Sequence, residues 1–444
     1  MSTEETPPPL RIAVVGGGIA GLTTALAIHH QITQHSSNLS LSVFESASKF
    51  GEIGAGVAFG PNAQRALRLI GCGEALDKVA GPVGKDSKVW FEYRIGDAQN
   101  ENEKELEGKH FATISGVDAA RGNVHRADFL DQLIQQLPSS IAHFKHRATH
   151  YEPSASGSGV TLHFYDPSLS PVEADVVICS DGIKSSLRAC MYGRKGLDLR
   201  GQKAFYSEWI AWRGLIKRSE FVEAFGEEAS DKMMHCGKGR HILHFPVRNG
   251  ELINIVGFVR DPEHAKLGDH TGPWSEARPK EEMMEDFAQF NEPCKKLLRA
   301  IDSASIWGIF KLSCIQTAVD DGVVLIGDAA HATTPHQGSG AGAAVEDSLF
   351  LSRLLASPLV SSVPLSSRPA AIQKALRIYE SIRQPRSQRI QKTSDEAGML
   401  YELLDPVAGD DWEKIKENLE ARMKWIWEVD TEGELEKALR MLEE

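Results

Sequence analysis

Apolar positions near the start of the chain fall into three blocks. Arg11-Ile12-Ala13-Val14-Val15 is a β-type run that stops at a glycine cluster, Ile19 to Gln31 is compatible with a helix, and Leu39 to Phe44 is a second strand-like run. This β-α-β order predicts a parallel sheet, because parallel neighbours need a crossover, usually helical, between them. Two later apolar runs have the same character: Ala174-Asp175-Val176-Val177-Ile178-Cys179 and Gly322-Val323-Val324-Leu325-Ile326. Both lead into an aspartate–glycine or glycine–aspartate step, as strand ends over a ligand often do.

Between them the texture changes. Lys203 to Arg260 is strand-rich and holds Arg248-Asn249-Gly250-Glu251 between two apolar runs. Asn-Gly in that setting predicts a hairpin, since a type I′ turn needs two residues at positive φ. With a two-residue turn, His244, Pro246 and Arg248 share one face of the first strand. Ser357 to Ser367 reads as a Ser/Pro linker, and helical segments follow to the end, with Trp412, Trp425 and Trp427 as packing anchors. Residues 1–9, ending in Pro7-Pro8-Pro9, read as a disordered lead-in. No internal repeat is evident.

Length and charge narrow the class. At roughly 150 residues per domain, a chain of 444 predicts about three domains, or two with an extension. With 41% hydrophobic and 25% charged residues the chain can bury a large core, which excludes disorder and small disulfide scaffolds. A net charge of −12 argues against nucleic acid as a partner. Asp395 to Glu444 carries 16 acidic and 6 basic residues, −10 in all, leaving −2 for everything before it. That stretch reads as a solvated helical face. The six cysteines are scattered without a C-x-x-C pair, which points to a reducing compartment and away from zinc. No run suits a bilayer. Ile12 to Ile28 is uncharged, but it contains Gly16, Gly17, Gly18 and Gly21, and Glu4 and Glu5 precede it instead of a basic region. It is therefore not a signal peptide. A cytoplasmic protein with no membrane partner is expected.

Gly16-Gly17-Gly18-Ile19-Ala20-Gly21 fits G-x-G-x-x-G after a strand and at the start of a helix, with Glu45 at the end of the second strand. That context makes it a dinucleotide fingerprint. Gly16 permits the tight turn, Gly18 the approach of a pyrophosphate and Gly21 the close helix–sheet contact, while the helix N-terminus favours phosphate charge. Glu45 can accept hydrogen bonds from an adenosine ribose.

Two further motifs identify the dinucleotide. Asp181-Gly182-Ile183-Lys184-Ser185-Ser186-Leu187-Arg188 has the form D-G-x-x-S-x-x-R. Gly327-Asp328-Ala329-Ala330-His331 leads to Pro335 and on to Gly338-Ser339-Gly340-Ala341-Gly342. With these in place, the chain resembles the single-component flavoprotein aromatic hydroxylases, the p-hydroxybenzoate hydroxylase-like class. Within that class it is similar to the salicylate hydroxylases. Gly51-Glu52-Ile53-Gly54-Ala55-Gly56-Val57-Ala58-Phe59-Gly60-Pro61-Asn62-Ala63, Val124-His125-Arg126-Ala127-Asp128-Phe129, His244-Phe245-Pro246-Val247-Arg248-Asn249-Gly250, Thr334-Pro335-His336-Gln337-Gly338 and Leu400-Tyr401-Glu402-Leu403-Leu404-Asp405-Pro406-Val407 carry that likeness. It covers nearly the whole chain except the N-terminal tail and Pro167 to Pro171.

The resemblance implies bound FAD, NADH as a transient hydride donor, and oxidative decarboxylation of salicylate to catechol through a flavin C4a-hydroperoxide. It also implies an α/β fold: a Rossmann-like FAD-binding domain (10–80, 110–195 and 306–358), a mixed-sheet substrate domain (196–305) and a C-terminal helical region (366–444). By the same likeness Gly327 and Asp328 meet the ribityl and pyrophosphate side of FAD. Gly338 and Gly340 run into a helix N-terminus against the isoalloxazine, and Arg126, Asp181 and Arg188 serve cofactor binding. No second G-x-G-x-x-G follows a strand, so NADH is expected to visit rather than reside; its choice over NADPH rests on the resemblance.

The substrate implied is a small aromatic acid bearing a phenol, with O₂ as co-substrate; a homodimer is left open. His336 lies in the loop expected beside the flavin, and its ordinary pKa near neutrality suits a general base or proton relay. A structural histidine capping the loop is the alternative. Arg248, near the hairpin tip, can pair with a carboxylate; otherwise it is a surface arginine paired with Glu251. Arg213 in Ala211-Trp212-Arg213-Gly214 is a further candidate. His241 and His244 are three apart on a strand and face opposite sides, and His331 and His336 lack metalloprotease spacing, so no metal site is predicted. The competing readings are a hydroxylase for another phenolic acid or polyketide-derived phenol, a non-catalytic binder on the same fold, and a flavin oxidase releasing H₂O₂.

Overall fold

The computed structural model describes residues 7–51, 56–80, 88–97, 101–155, 157–198, 202–263 and 273–444. Residues 1–6 of the expected lead-in, and Glu52-Ile53-Gly54-Ala55 of the glycine-rich segment, lie outside them.

The strand Leu10–Val15 sits at the centre of a six-stranded sheet. Leu39–Glu45 and Val176–Cys179 pair with it in parallel on either side. Ala142–Phe144 extends one edge, and Val323–Leu325 followed by the antiparallel Val319–Asp320 extends the other. The first strand is apolar along nearly its whole length because both faces are covered, as parallel sheets require. One cover is formed by the helices Ile19–His35 and Gly340–Ala356, which meet through small residues. There Ser348 Oγ lies 2.9 and 2.8 Å from the hydroxyls of Thr23 and Thr24. On the other face lies a three-stranded antiparallel sheet, Ala148–Pro153, Val160–Phe164 and Val172–Ala174.

The second layer is an eight-stranded mixed sheet built on the 13-residue strand Phe205–Lys217. Period-two alternation splits it cleanly. Ile210, Trp212 and Ile216 pack under the helices Arg218–Phe225, Lys280–Asp286 and Glu292–Arg299. Trp209 and Ala211 face the opposite side. Two strands expected with the FAD-binding domain, His110–Ser115 and nearly all of Ser305–Lys311, belong to this sheet instead. The pairing of Ser305–Lys311 with Phe205–Lys217 is long-range, so chain order did not reveal it.

The expected hairpin joins Arg240–Val247 to Leu252–Arg260, but its loop is four residues long, Val247 pairing with Leu252. Arg248, Asn249 and Gly250 all have positive φ, at 50°, 55° and 85°. The 34-residue helix Arg368–Tyr401 runs along both layers, with Pro385 inside it. Its C-terminal part, with Trp412–Arg422 and Lys424–Trp427, packs on the eight-stranded sheet, whereas Thr431–Glu443 packs on the first core. No described helix is long and apolar enough to cross a membrane.

Candidate active site

A cleft of about 540 Å³ opens over the C-terminal ends of the parallel strands. This is where α/β sheets hold ligands, since strand ends and helix N-termini converge there. Gly16, Gly18, Glu45, Arg126, Asp181, Asp328 and Gly340 line it. It runs into a second cavity of about 390 Å³ between the layers, and Arg126, Ile183, Asp328, Gly340 and Ala341 border both.

The glycine turn is built for close approach. Gly16 has φ +105°, and a Cβ there would lie 2.4 Å from the Ser180 carbonyl oxygen. Gly21 packs against the Gly16 carbonyl, where a Cβ would sit at 1.9 Å. At Gly18 a Cβ would meet no protein atom within 4 Å. The helix Ile19–His35 begins there with no side-chain cap and no acid in its first turn. Glu45 closes the far end, accepting the Gly17 amide at 2.6 Å and the Ala47 amide at 2.7 Å. The helix Gly340–Ala356 likewise starts without a side-chain cap or an acid in its first turn, so two sets of free N–H donors enter the cleft. Asp181 is half-buried, its Oδ1 buried and unpartnered among the described residues, and desolvation raises its pKa. An open glycine turn, two uncapped helix starts and an orphaned carboxylate oxygen fit a dinucleotide with a hydroxylated chain.

Three sequence candidates lie behind the cleft wall rather than on it. Arg188 is buried and donates to the carbonyls of Gln202, Ala329 and Ile183, tying the two aspartate–glycine loops together. Burial lowers its pKa, with Asp181 opposing. Gly327 takes φ +54° and donates its amide to Asp347. Gly21 serves packing, as described.

The second cavity is walled by Trp90, Phe91, Phe245, Phe258 and Trp307, with Gly338, at φ +60°, beside His336. His336 is buried against Trp209 and Phe258, and neither ring nitrogen has a partner. Burial, then His241, Arg260 and Lys311, hold its pKa well below 6.5, so the ring is neutral at neutral pH.

Arg248 is not in this cavity. Its side chain is 48% exposed and pairs with Asp128 at 3.2 Å, not with Glu251. The reason is parity. Leu243 and Phe245 point into the cavity, so His244 and the even positions that follow face away. Arg213, on the same face of its strand as Trp209 and Ala211, does enter the cavity, which Arg126 also borders. It is half-buried, its buried Nε has no partner among the described residues, and its guanidinium lies 4.6 Å from the Trp307 ring centroid. Burial, then Arg126, lowers its pKa to about 10, which leaves it charged at neutral pH. A partly desolvated cation without a carboxylate partner among the described residues is costly to hold unless an anion joins it.

Residues 133–394 match a family model described as FAD binding domain. A salicylate hydroxylase of Pseudomonas putida is 37% identical over 97% of this chain and 94% of its own length. A 6-methylsalicylate 1-monooxygenase of Aspergillus terreus is 33% identical over 97% of this chain and 92% of its own. Among solved structures, a salicylate hydroxylase–substrate complex superposes with a TM-score of 0.83 at 35% identity, covering 97% of this chain and 98% of that one. A Klebsiella pneumoniae protein solved with FAD and uric acid shares the fold, with a TM-score of 0.70 at 22% identity, covering 98% of this chain and 96% of that one.

Proposed function

Because this chain belongs to the FAD-dependent aromatic hydroxylases, we propose that it is a salicylate 1-monooxygenase. With NADH as transient hydride donor it converts salicylate and O₂ to catechol, CO₂ and water. The observation that carries this reading is the half-buried Arg213, its Nε buried and unpartnered among the described residues, in an aromatic cavity that also holds His336. An aromatic acid with a phenol supplies the anion, the ring and the proton that these groups call for.

FAD, when bound, accepts the hydride and supplies the activated oxygen. Gly16, Gly18 and Glu45 would hold its adenosine and pyrophosphate end, and Asp181, Asp328 and Arg126 would face the rest of it. The amides at the start of helix Gly340–Ala356 would favour negative charge on a flavin held there. Arg213 pairs with the substrate carboxylate and fixes the ring's orientation. His336, neutral because it is buried, accepts the phenol proton, which makes the ring a better nucleophile. The apolar walls exclude water that would divert the oxygen to H₂O₂.

The test is NADH oxidation across a panel of phenolic acids with product identification. Catechol and CO₂ in step with NADH consumed are expected for salicylate. NADH consumption that yields only H₂O₂ with every acid overturns hydroxylation. Preferred turnover of 6-methylsalicylate or another phenolic acid would assign the second reading, a related hydroxylase, which the fungal relative favours.

A further inference from the structure

Neither ring nitrogen of His336 has a hydrogen-bond partner among the described residues, so packing decides where the imidazole stands. On two sides it meets the rings of Trp209 and Phe258, each with its centroid 4.8 Å away. On a third it rests against the long helix at Gly398. A Cβ built on Gly398 would lie 2.6 Å from Cδ2, 2.7 Å from Nε2 and 3.1 Å from Cγ of His336, and these are its three nearest described atoms. The loop that carries His336 is fastened to the same helix on both sides of the histidine. Gln391 Nε2 donates to the Ala332 carbonyl at 3.2 Å and Ser394 Oγ to the Thr334 carbonyl at 2.6 Å, while Thr393 Oγ1 donates to Gln337 Oε1 at 3.0 Å.

We propose that Gly398 is a positioning residue: its missing side chain forms the notch that seats the His336 imidazole where it can reach a substrate hydroxyl. The inference rests on the reading of His336 as the base for a bound phenol. The backbone gives no other reason for a glycine there. Gly398 is buried within helix Arg368–Tyr401, the Glu402 amide donates to its carbonyl at 3.2 Å, and it is not among the residues with positive φ. Helix interiors favour alanine over glycine, because glycine gives up more conformational freedom there. A requirement for space remains, and the three atoms that set it all belong to His336.

The size of the effect follows from contact distances. Carbon atoms pack at about 3.5–4.0 Å, so the methyl group of Gly398→Ala would push the ring by roughly 1 Å. Trp209 and Phe258 block it on two sides and the fastened loop blocks retreat of the main chain, which leaves the cavity as the direction of displacement. Misplacing a reacting group by about 1 Å can cost about 100-fold in rate. The charged and titratable groups around the ring are unaltered by the substitution. His241, Arg260 and Lys311 act on it from three strands of the mixed sheet, and Asp395 of the helix pairs with Lys311. Gly398→Ala adds no charge and removes none, so a changed pH profile reports the position of the ring.

The test is a double-mutant cycle of Gly398→Ala and His336→Ala on flavin-loaded enzyme, read by thermal melts and by catechol formation across pH. With His336 present, Gly398→Ala should lower Tm. In the His336→Ala background the same substitution should raise it, because only helix propensity is left. An equal shift in both backgrounds overturns the notch and leaves the cavity reading standing. At neutral pH Gly398→Ala should slow hydroxylation by up to about 100-fold with FAD retained, and raising the pH should partly restore it as solvent generates the phenolate. A loss that is the same at every pH marks a merely structural glycine and overturns the positioning role, as does wild-type hydroxylation by Gly398→Ala. Wild-type hydroxylation by His336→Ala overturns the base reading as well, whatever the melts show. Should Gly398→Ala fail to fold, the double variant decides: it folds and binds FAD if the clash is with His336, and its failure to do so overturns the proposal.

Discussion

Arg213 lies over the indole of Trp307, with the guanidinium carbon 4.6 Å from the ring centroid. The two residues are on adjacent antiparallel strands, where Ala211 is paired with Trp307. The indole face shields one side of the guanidinium and leaves its edge toward the cavity. On the proposed reading, that relationship makes Arg213, rather than Arg248, the candidate anchor for a substrate carboxylate.

Arg213→Ala should therefore weaken salicylate binding by roughly tenfold or more, since a desolvated charge-assisted pair contributes about 1.5–3 kcal/mol. Arg248→Ala should leave Kd within about twofold, because an exposed pair with Asp128 contributes little. Flavin-fluorescence titration of both variants measures this. The reverse ranking would return the anchor to the hairpin tip.

Gly18→Val should fold normally and purify without its flavin. A side chain at Gly18 meets no protein atom within 4 Å, and its φ of −77° suits any residue. Any loss must then come from the space the pyrophosphate requires. An unchanged Tm of the flavin-free protein together with lost FAD is the expected pair of results. Full FAD content at normal affinity contradicts the assignment.

His336→Ala should bind FAD and still allow its reduction by NADH. Catechol per NADH should fall, with H₂O₂ making up the difference, because a positioned base contributes about 10²–10⁴-fold. Raising the pH should partly restore hydroxylation as solvent generates the phenolate. Wild-type coupling at neutral pH would remove this role from His336, and loss of FAD would make it structural.

A further prediction concerns acid stability. Asp347 accepts from Gly327, His331 and Arg383, and Glu346 pairs with Arg383 and Arg386. Burial pushes Glu346 up, but the arginines prevail and hold it at about 2, below its ordinary 4.5. Its contribution to stability is thus complete above about 4.5 and is lost as pH falls toward 2. Glu346→Gln should lower Tm at neutral pH and flatten its acid dependence, and Asp347→Ala should cost about 3–5 kcal/mol by leaving Arg383 and Arg386 to share the single carboxylate of Glu346. Thermal melts between neutral and acid pH check both.

The sequence by itself determined the nucleotide half of this protein. A strand, a glycine turn and a helix are contiguous, so the path from Leu10 through Gly16, Gly18 and Gly21 to Glu45 is local, and its chemistry is legible where it stands. The aspartate–glycine and glycine–aspartate steps were legible for the same reason, and the family likeness followed from them. The substrate half depended on tertiary structure. Whether a strand residue faces the cavity or away turns on a shift of one position. The four-residue hairpin loop and the pairing across eight strands settled that parity, turning Arg213 inward and leaving Arg248 outside. The groups behind the site were invisible for a different reason. Glu402 meets His241 across 161 positions, and Arg383 meets Asp347 across 36. Only packing the long helix against both layers brings these buried charges together, and no local pattern of residues encodes such a meeting.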